Sequence, residues 1–300
     1  MPQSKPLGQN LRMRFDRQLT TAVFHPLRRI GGDPPSVRLP VLMYHSLSDD
    51  PENGVAGYYK TNTAPSIFRQ HLAQLAEEGY KTIDLPQLID SLASGQLPSD
   101  KSIVITFDDG FKNFYTEAFP ALSKYGFTAT MFLPTAFISN SRMSFKKAEC
   151  LTWNEIREMR QAGMQFGSHT VNHPQLSGLK FPEIERELRD SRVEIEQQLG
   201  ESATTFAYPY AFPQGNRSFA STFRDLLVEA GYTCCVTTEL GRVKAGDDPY
   251  RIKRLPANSC DDPRLFRAKL EGGYDWLAGL QSLVKQLRMR FPRLGGIKST

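Results

Sequence analysis

The sequence predicts an α/β chain built on a closed barrel of parallel strands, and three observations carry that prediction. A local phrase recurs in which an amphipathic helix ends at a glycine and an apolar or aromatic residue opens a strand; it reads "LAQLAEEGYKTI", "LSKYGFTATMF", "IREMRQAGMQFGS" and "LLVEAGYTCCV". Runs of strand length fall near 41–45, 81–84, 103–107, 128–133, 164–168, 205–208 and 232–236, in unbroken alternation with those helices. The run Ile103, Val104, Ile105 and Phe107 is apolar on both faces, as a strand covered on both sides must be. A flavodoxin-like open sheet is the alternative. Seven strands in one alternation favour the barrel, and a barrel puts chemistry at the carboxyl ends of its strands.

The punctuation of the helices agrees. Gly79, Gly126, Gly163 and Gly231 each fit the position just past a helix end, where the backbone takes positive φ. Thr152 and Glu155 form a capping-box pattern, and Pro182 suits the first turn of a helix running to about Gly200. In that helix Ile184, Leu188, Ile195 and Leu199 share one face. The expected organisation is a basic extension over 1–38, a catalytic domain over 39–258 and a basic amphipathic extension over 259–300. "GGDPPS" acts as the linker into the first strand. In the last segment Trp276, Leu280, Leu283, Leu287 and Phe291 follow helical spacing among Lys285, Arg288 and Arg290, and "LRMRF" occurs at both 11–15 and 287–291. Two readings fit these ends: helices packed on the barrel, or segments that lie on an anionic membrane surface.

Composition narrows the class further. The chain has 300 residues, 40% of them hydrophobic and 23% charged, as ordinary globular proteins do. No apolar run is long enough for a transmembrane helix, and the first 30 residues lack the apolar core of a secretory signal. Cys150, Cys234, Cys235 and Cys260 show no CxxC pairing, which suggests thiols in a reducing cytoplasm. The expected location is therefore cytoplasmic or peripheral to the inner membrane. The net charge is +5, but residues 1–30 hold six Lys/Arg and one acid, and residues 276–300 hold five Lys/Arg and no acid. The chain between them is net acidic, which excludes a basic nucleic-acid-binding core.

Four stretches point to chemistry. The strand 103–107 ends in Asp108 and Asp109, and two adjacent carboxylates repel and lose hydration unless a cation or a proton intervenes. In "FGSHTVNHPQL", His169 and His173 lie four apart just past a strand, close enough to share one cation in a helix or tight turn. Asp109 would complete a His₂-carboxylate set, leaving the other carboxylate free to act on water. An HxxxH pair alone reads first as a helix-surface feature; its company with the paired aspartates favours a divalent metal. In "FAYPYAFPQGN", Pro209 stiffens a turn that can aim the Tyr210 N–H into the site as an oxyanion donor, or merely closes a loop over packed aromatics. In "PVLMYHSLSD", His45 directly follows a strand and has the intrinsic pKa to protonate a leaving amine.

Together "TFDDG", "HTVNH" and "PY" after an apolar strand resemble the polysaccharide deacetylases of the NodB-homology group, carbohydrate esterase family 4, over about residues 39–258. The resemblance implies a distorted (β/α)₇-type barrel with helical extensions, and a metal-dependent hydrolase that removes acetyl groups from N-acetylated glycans. It further implies Zn²⁺, or Co²⁺ or a similar divalent ion, held by Asp109, His169 and His173, with Asp108 as base. Two departures stand out. The family commonly carries an arginine two residues before the proline of the third motif, where this chain has Ala207, and no histidine follows His173. Both departures resemble the circularly permuted poly-β-1,6-N-acetylglucosamine deacetylase branch, in which an N-terminal "YH" supplies the acid; here that is His45. Arg251 and Arg254 in "YRIKRLP" are candidates to replace the missing arginine, and Arg254, with Pro209 and Tyr210, is also a candidate substrate contact. A non-catalytic glycan-binding relative and a metal amidase acting on a non-sugar amide or imide are the competing functions.

Overall fold

The computed structural model of the chain describes residues 15–31, 38–52, 54–55, 57–99 and 101–278. Seven parallel strands, β1 (Val41–Tyr44), β2 (Ser102–Phe107), β3 (Thr130–Leu133), β4 (Gln165–Ser168), β5 (Thr205–Ala207), β6 (Cys234–Leu240) and β7 (Ile252–Pro256), pair in chain order. The ring closes where β7 pairs β1, with Leu255 opposite Leu42, and β1 pairs β2 from Val41–Val104 to Tyr44–Phe107.

Two strand expectations are corrected. Residues 81–84 do not form a barrel strand: only Lys81 and Thr82 pair, with Ser102 and Ile103, on the edge that β3 takes further along at Thr106 and Phe107. The seventh place belongs to β7, whose "IKRLP" reads as a surface strand because it holds two cations and ends in proline. Arg254 points inward there, against the pattern's ordinary meaning, because a buried partner receives it.

Alternate residues of each strand serve two environments. Val41, Val104, Phe132, Ala207, Cys234, Val236 and Ile252 fill the barrel, and helix α2 (Leu85–Ala93) adds Leu85, Leu88 and Leu92 to that cluster. Outside, Leu42, Tyr44, Ile105 and Phe107 pack with Phe68, Leu72 and Leu75 of α1 (Pro65–Glu77), and with Trp153 and Ile156 of α3 (Trp153–Gln161). On the other outer side Phe206 and Cys235 meet Ile184 and Leu188 of α4 (Phe181–Leu199) and Phe223 and Leu227 of α5 (Arg217–Glu229).

The expected helix signals hold. Thr152 and Glu155 exchange capping bonds, Pro182 lies in the first turn of α4, and Gly200 ends that helix at φ 70°. The four phrase-ending glycines all have positive φ. At the ends, residues 15–31 are helical with a π turn at Thr20–Phe24, and α6 (Pro263–Leu270) follows the barrel. The "GGDPPS" linker beyond Gly31, residues 11–14, Leu280, Leu283, Leu287, Phe291 and the second "LRMRF" lie outside the described residues. No described helix is long and apolar enough to cross a membrane, and all four cysteines are free thiols.

One interior glycine has a steric role. A Cβ on Gly167 of β4 would lie 2.7 Å from Phe132 Cε1 and from the Thr205 carbonyl oxygen, and closer still to Thr205 Oγ1. Gly167→Ala should therefore destabilise the barrel by about 1–3 kcal/mol through overpacking, measured as a lowered urea midpoint at unchanged slope.

Candidate active site

The carboxyl ends of β1, β2, β4 and β5 bring the expected residues to one mouth. Backbone bonds carry the ladder past the strands, from Asp108 N to Tyr44 O (3.0 Å) and from His169 N to Leu133 O (2.9 Å). Asp108, Asp109, His169 and His173 are all buried.

Asp108 is held by Arg254 in a bidentate pair, Nη1 donating to Oδ1 at 2.7 Å and Nη2 to Oδ2 at 2.8 Å. The arginine in turn donates from Nε to the Thr237 carbonyl (3.0 Å) and from Nη1 to Thr106 Oγ1 (3.2 Å). Thr237 can offer its carbonyl because the β6–β7 register slips between Val236 and Leu240. Arg254 is 1% exposed, so the expectation that it touches substrate is corrected: its guanidinium lies behind Asp108. Arg251 instead pairs with Glu239, Nη2 to Oε1 at 2.6 Å. Burial pushes the Asp108 carboxyl up, but Arg254, His169 and His45 together outweigh it and hold the pKa below its ordinary value.

His45, partly exposed at the mouth, has Nε2 3.8 Å from Asp108 Oδ2. Burial lowers its pKa against the opposing pull of Asp108 and Asp109. A histidine so tuned gives up a proton readily once charged.

Next to this pair lies a cluster fit for a cation. His173 Nε2 and His169 Nε2 stand 3.2 and 3.7 Å from Asp109 Oδ1, and one donor atom from each residue falls within 4.8 Å of the others. Donors about 2.0–2.2 Å from one tetrahedral ion are roughly 3.4 Å apart. Asp109 Oδ1 is buried without a hydrogen bond, and the His169 ring is fixed by Nδ1 donating to the Ala207 carbonyl at 2.8 Å, which turns Nε2 toward the cluster. These residues fit a divalent metal. The 169–173 segment is a tight turn, not a helix, with positive φ at Thr170 (72°) and His173 (53°). Glu187 of α4 clamps it, accepting from the Val171 and Asn172 N–H groups at 2.8 and 2.9 Å.

Pro209 is buried and Tyr210 is half exposed, its ring 4.7 Å from that of His173. Tyr210 has φ 57°, and its N–H donates to no group among the described residues. Sequence reasoning missed Lys146, at the tip of a hairpin formed by Ser144–Phe145 and Ala148–Glu149, whose Nζ reaches Asp109 Oδ2 at 3.0 Å. "SFKKAE" offered a turn signal but nothing to link it to residue 109. Glu187, on the charged side of its helix, gave no signal either.

A carboxylate held by a buried arginine, beside histidines at the carboxyl end of a parallel barrel, is the arrangement of a barrel enzyme. The family model described as Polysaccharide deacetylase matches residues 95–235. A Bacillus subtilis protein named polysaccharide deacetylase YxkH is 30% identical over 234 residues, covering 78% of this chain and 76% of its own. The chain belongs to the polysaccharide deacetylase family. The poly-beta-1,6-N-acetyl-D-glucosamine N-deacetylase of Staphylococcus aureus is 27% identical over 203 residues, 65% of this chain and 67% of that one. An Escherichia coli enzyme of that name is 25% identical over 140 residues, 20% of its length. Among solved structures, Streptococcus pyogenes deacetylase PplD in complex with acetate has TM-score 0.68 at 28% identity, over 78% of this chain and 99% of that one.

Two predictions follow from the electrostatics. Arg254→Met strands the Asp108 charge and should cost about 3–5 kcal/mol of stability at neutral pH, and the Arg254→Met/Asp108→Asn double variant should recover most of it in urea titrations. In the metal-free protein, burial lowers the His169 imidazole to about 4. The unfolded chain takes up that proton near the ordinary value of about 6.5 and the folded one only near 4. Stability is therefore full above the upper value and declines as pH falls toward the lower one, at up to about 1.4 kcal/mol per pH unit for this group. Denaturation midpoints that stay level across that window would contradict the assignment.

Proposed function

We propose that the protein is a divalent-metal-dependent N-deacetylase acting on N-acetylhexosamine units of a polysaccharide, oligosaccharide or lipid-linked glycan in exopolysaccharide or cell-envelope metabolism. The observation that carries this reading is the orphaned Asp109 Oδ1 facing two imidazoles, beside a second carboxylate fixed by Arg254. Asp109, His169 and His173 would hold the ion, most readily Zn²⁺ or Co²⁺, which when bound supplies Lewis acidity toward a water and the acetyl carbonyl.

The chain's own groups do the rest. Asp108, kept ionised by Arg254, takes a proton from the attacking water as the general base. Tyr210 donates its N–H to the oxygen on which negative charge develops, Pro209 stiffens the turn that aims it, and the Tyr210 ring serves as a wall for the sugar. His45 gives a proton to the departing amine, and acetate and a free amino sugar result. Arg254 takes over the base-orienting part of the arginine missing at position 207, which favours a working enzyme over a barrel that only binds glycan. The free thiols suit a reducing compartment, and we place the enzyme in the cytoplasm or at the inner face of its membrane.

Acetate release from N-acetylglucosamine oligomers should vanish on chelation and return with zinc or cobalt. A protein that binds the metal, releases no acetate and instead opens a cyclic imide would overturn the reading in favour of a non-sugar amidase. Asp108→Asn should keep the metal and lose at least about 10²-fold in kcat; a variant near wild-type rate would remove Asp108 from the role of base.

A further inference from the structure

Residues 15–31 lie along α6 and the turn that follows it. Arg17 pairs with Asp262 at 2.6 Å, His25 Nε2 approaches Glu271 Oε2 at 2.6 Å, and Trp276 Nε1 donates to Thr20 Oγ1 at 3.0 Å while its ring stacks on Phe24 at 4.8 Å. Those contacts use one side of the segment. The other side carries Leu19, Val23, Leu27 and Ile30, spaced four, four and three apart, with exposures from 40% to 84%. Counting Phe24, five of the twelve exposed large apolar side chains among the described residues fall within these twelve positions, so the stripe is a concentrated feature and not scattered surface.

Charge indicates what covers the stripe. Residues 1–30 hold six Lys/Arg against one acid, whereas the 245 residues 31–275 sum to −5. Beneath the helix, Arg28, Arg38 and Arg242 converge on the single carboxylate of Asp275 at 3.1, 3.4 and 3.2 Å. The Nε atoms of Arg38 and Arg242 are buried without acceptors among the described residues. Arg29, beside the stripe, is largely exposed, with Glu271 no nearer than 3.9 Å. An anionic surface would attract this end and repel the acidic body, which fixes an orientation as well as a contact. An apolar stripe with an exposed arginine, Arg29, at its edge, on a helix lying along the protein surface, is the form that seats in a lipid headgroup layer.

We propose that the Leu19–Ile30 face docks the enzyme on an anionic phospholipid bilayer. The proposal is independent of the deacetylase chemistry, since no residue of the stripe touches the candidate site.

The test is co-sedimentation of the full chain with vesicles of phosphatidylcholine alone or mixed with phosphatidylglycerol. Binding should require phosphatidylglycerol and weaken as salt rises. Leu27→Glu/Ile30→Glu, at two exposed positions, should weaken it about tenfold or more while leaving thermal unfolding and acetate release from soluble oligomers unchanged. Absence of pelleting with anionic vesicles, equal binding to phosphatidylcholine, or a double variant that binds as wild type does would each overturn the proposal. So would a wild-type dimer in sedimentation velocity that the double variant splits, since a second copy would then own the face. Failure of the deacetylase reading would show separately, as no acetate release from a protein that still pellets.

Discussion

The Arg254–Asp108 pair is the constraint around which the barrel mouth is built. Two adjacent carboxylates at the end of a buried strand cannot both stay ionised without compensation. The protein compensates them one at a time: Asp108 takes a fully buried guanidinium, and Asp109 takes Lys146 at 3.0 Å and the two imidazoles. The division gives each aspartate a distinct environment and leaves Asp109 Oδ1 with no hydrogen-bond donor. Two chemically identical side chains, neighbours in sequence, are thereby prepared for different work. The pair also joins strands, because Arg254 on β7 bonds to β6 through Thr237 and to β2 through Thr106 as well as to Asp108.

Backbone strain gathers at the same place. Asp109, Lys146, Thr170, His173 and Tyr210 all take positive φ, and every one of them lies at or beside the mouth. Such conformations persist because rigid neighbours impose them. The 169–173 turn is tied to Glu187, and Thr135 and Ala136 donate their N–H groups to the Thr170 and Val171 carbonyls at 3.1 and 2.9 Å. Tyr210 is anchored by its own carbonyl, which accepts from Thr238 Oγ1 at 3.1 Å. The closed ladder beneath these loops lets them hold unfavourable geometry without unravelling.

Much of this was legible in the sequence because the signals were local. The glycine that ends each helix, the Thr152–Glu155 cap and the two-sided strand before Asp108 depend on residues a few positions apart, and the barrel follows from their alternation. The site residues at strand ends were legible for the same reason. What escaped depends on long-range pairing. The strand at 252–256 was hidden because its inward arginine breaks the apolar pattern, and that break makes sense only once Asp108, 146 positions away, is known to receive it. Lys146 reaches Asp109 across 37 positions and Glu187 clamps a turn 15 and 16 positions before it, so neither leaves a periodic trace.

The same long-range logic accounts for the departure at Ala207. Its side chain belongs to the barrel interior on β5, while Arg254 enters that interior from β7, with β6 between them. In a closed barrel, residues at one height converge on the axis whichever strand carries them. An arginine can therefore move from one strand to another and still reach the same carboxylate, provided the vacated position stays small. Ala207 brings only a methyl group to the space, and its backbone carbonyl is kept in use as the acceptor that orients His169. In the proposed reading the side-chain chemistry of the position passes to Arg254 across the barrel, while the backbone of Ala207 keeps its part in orienting His169.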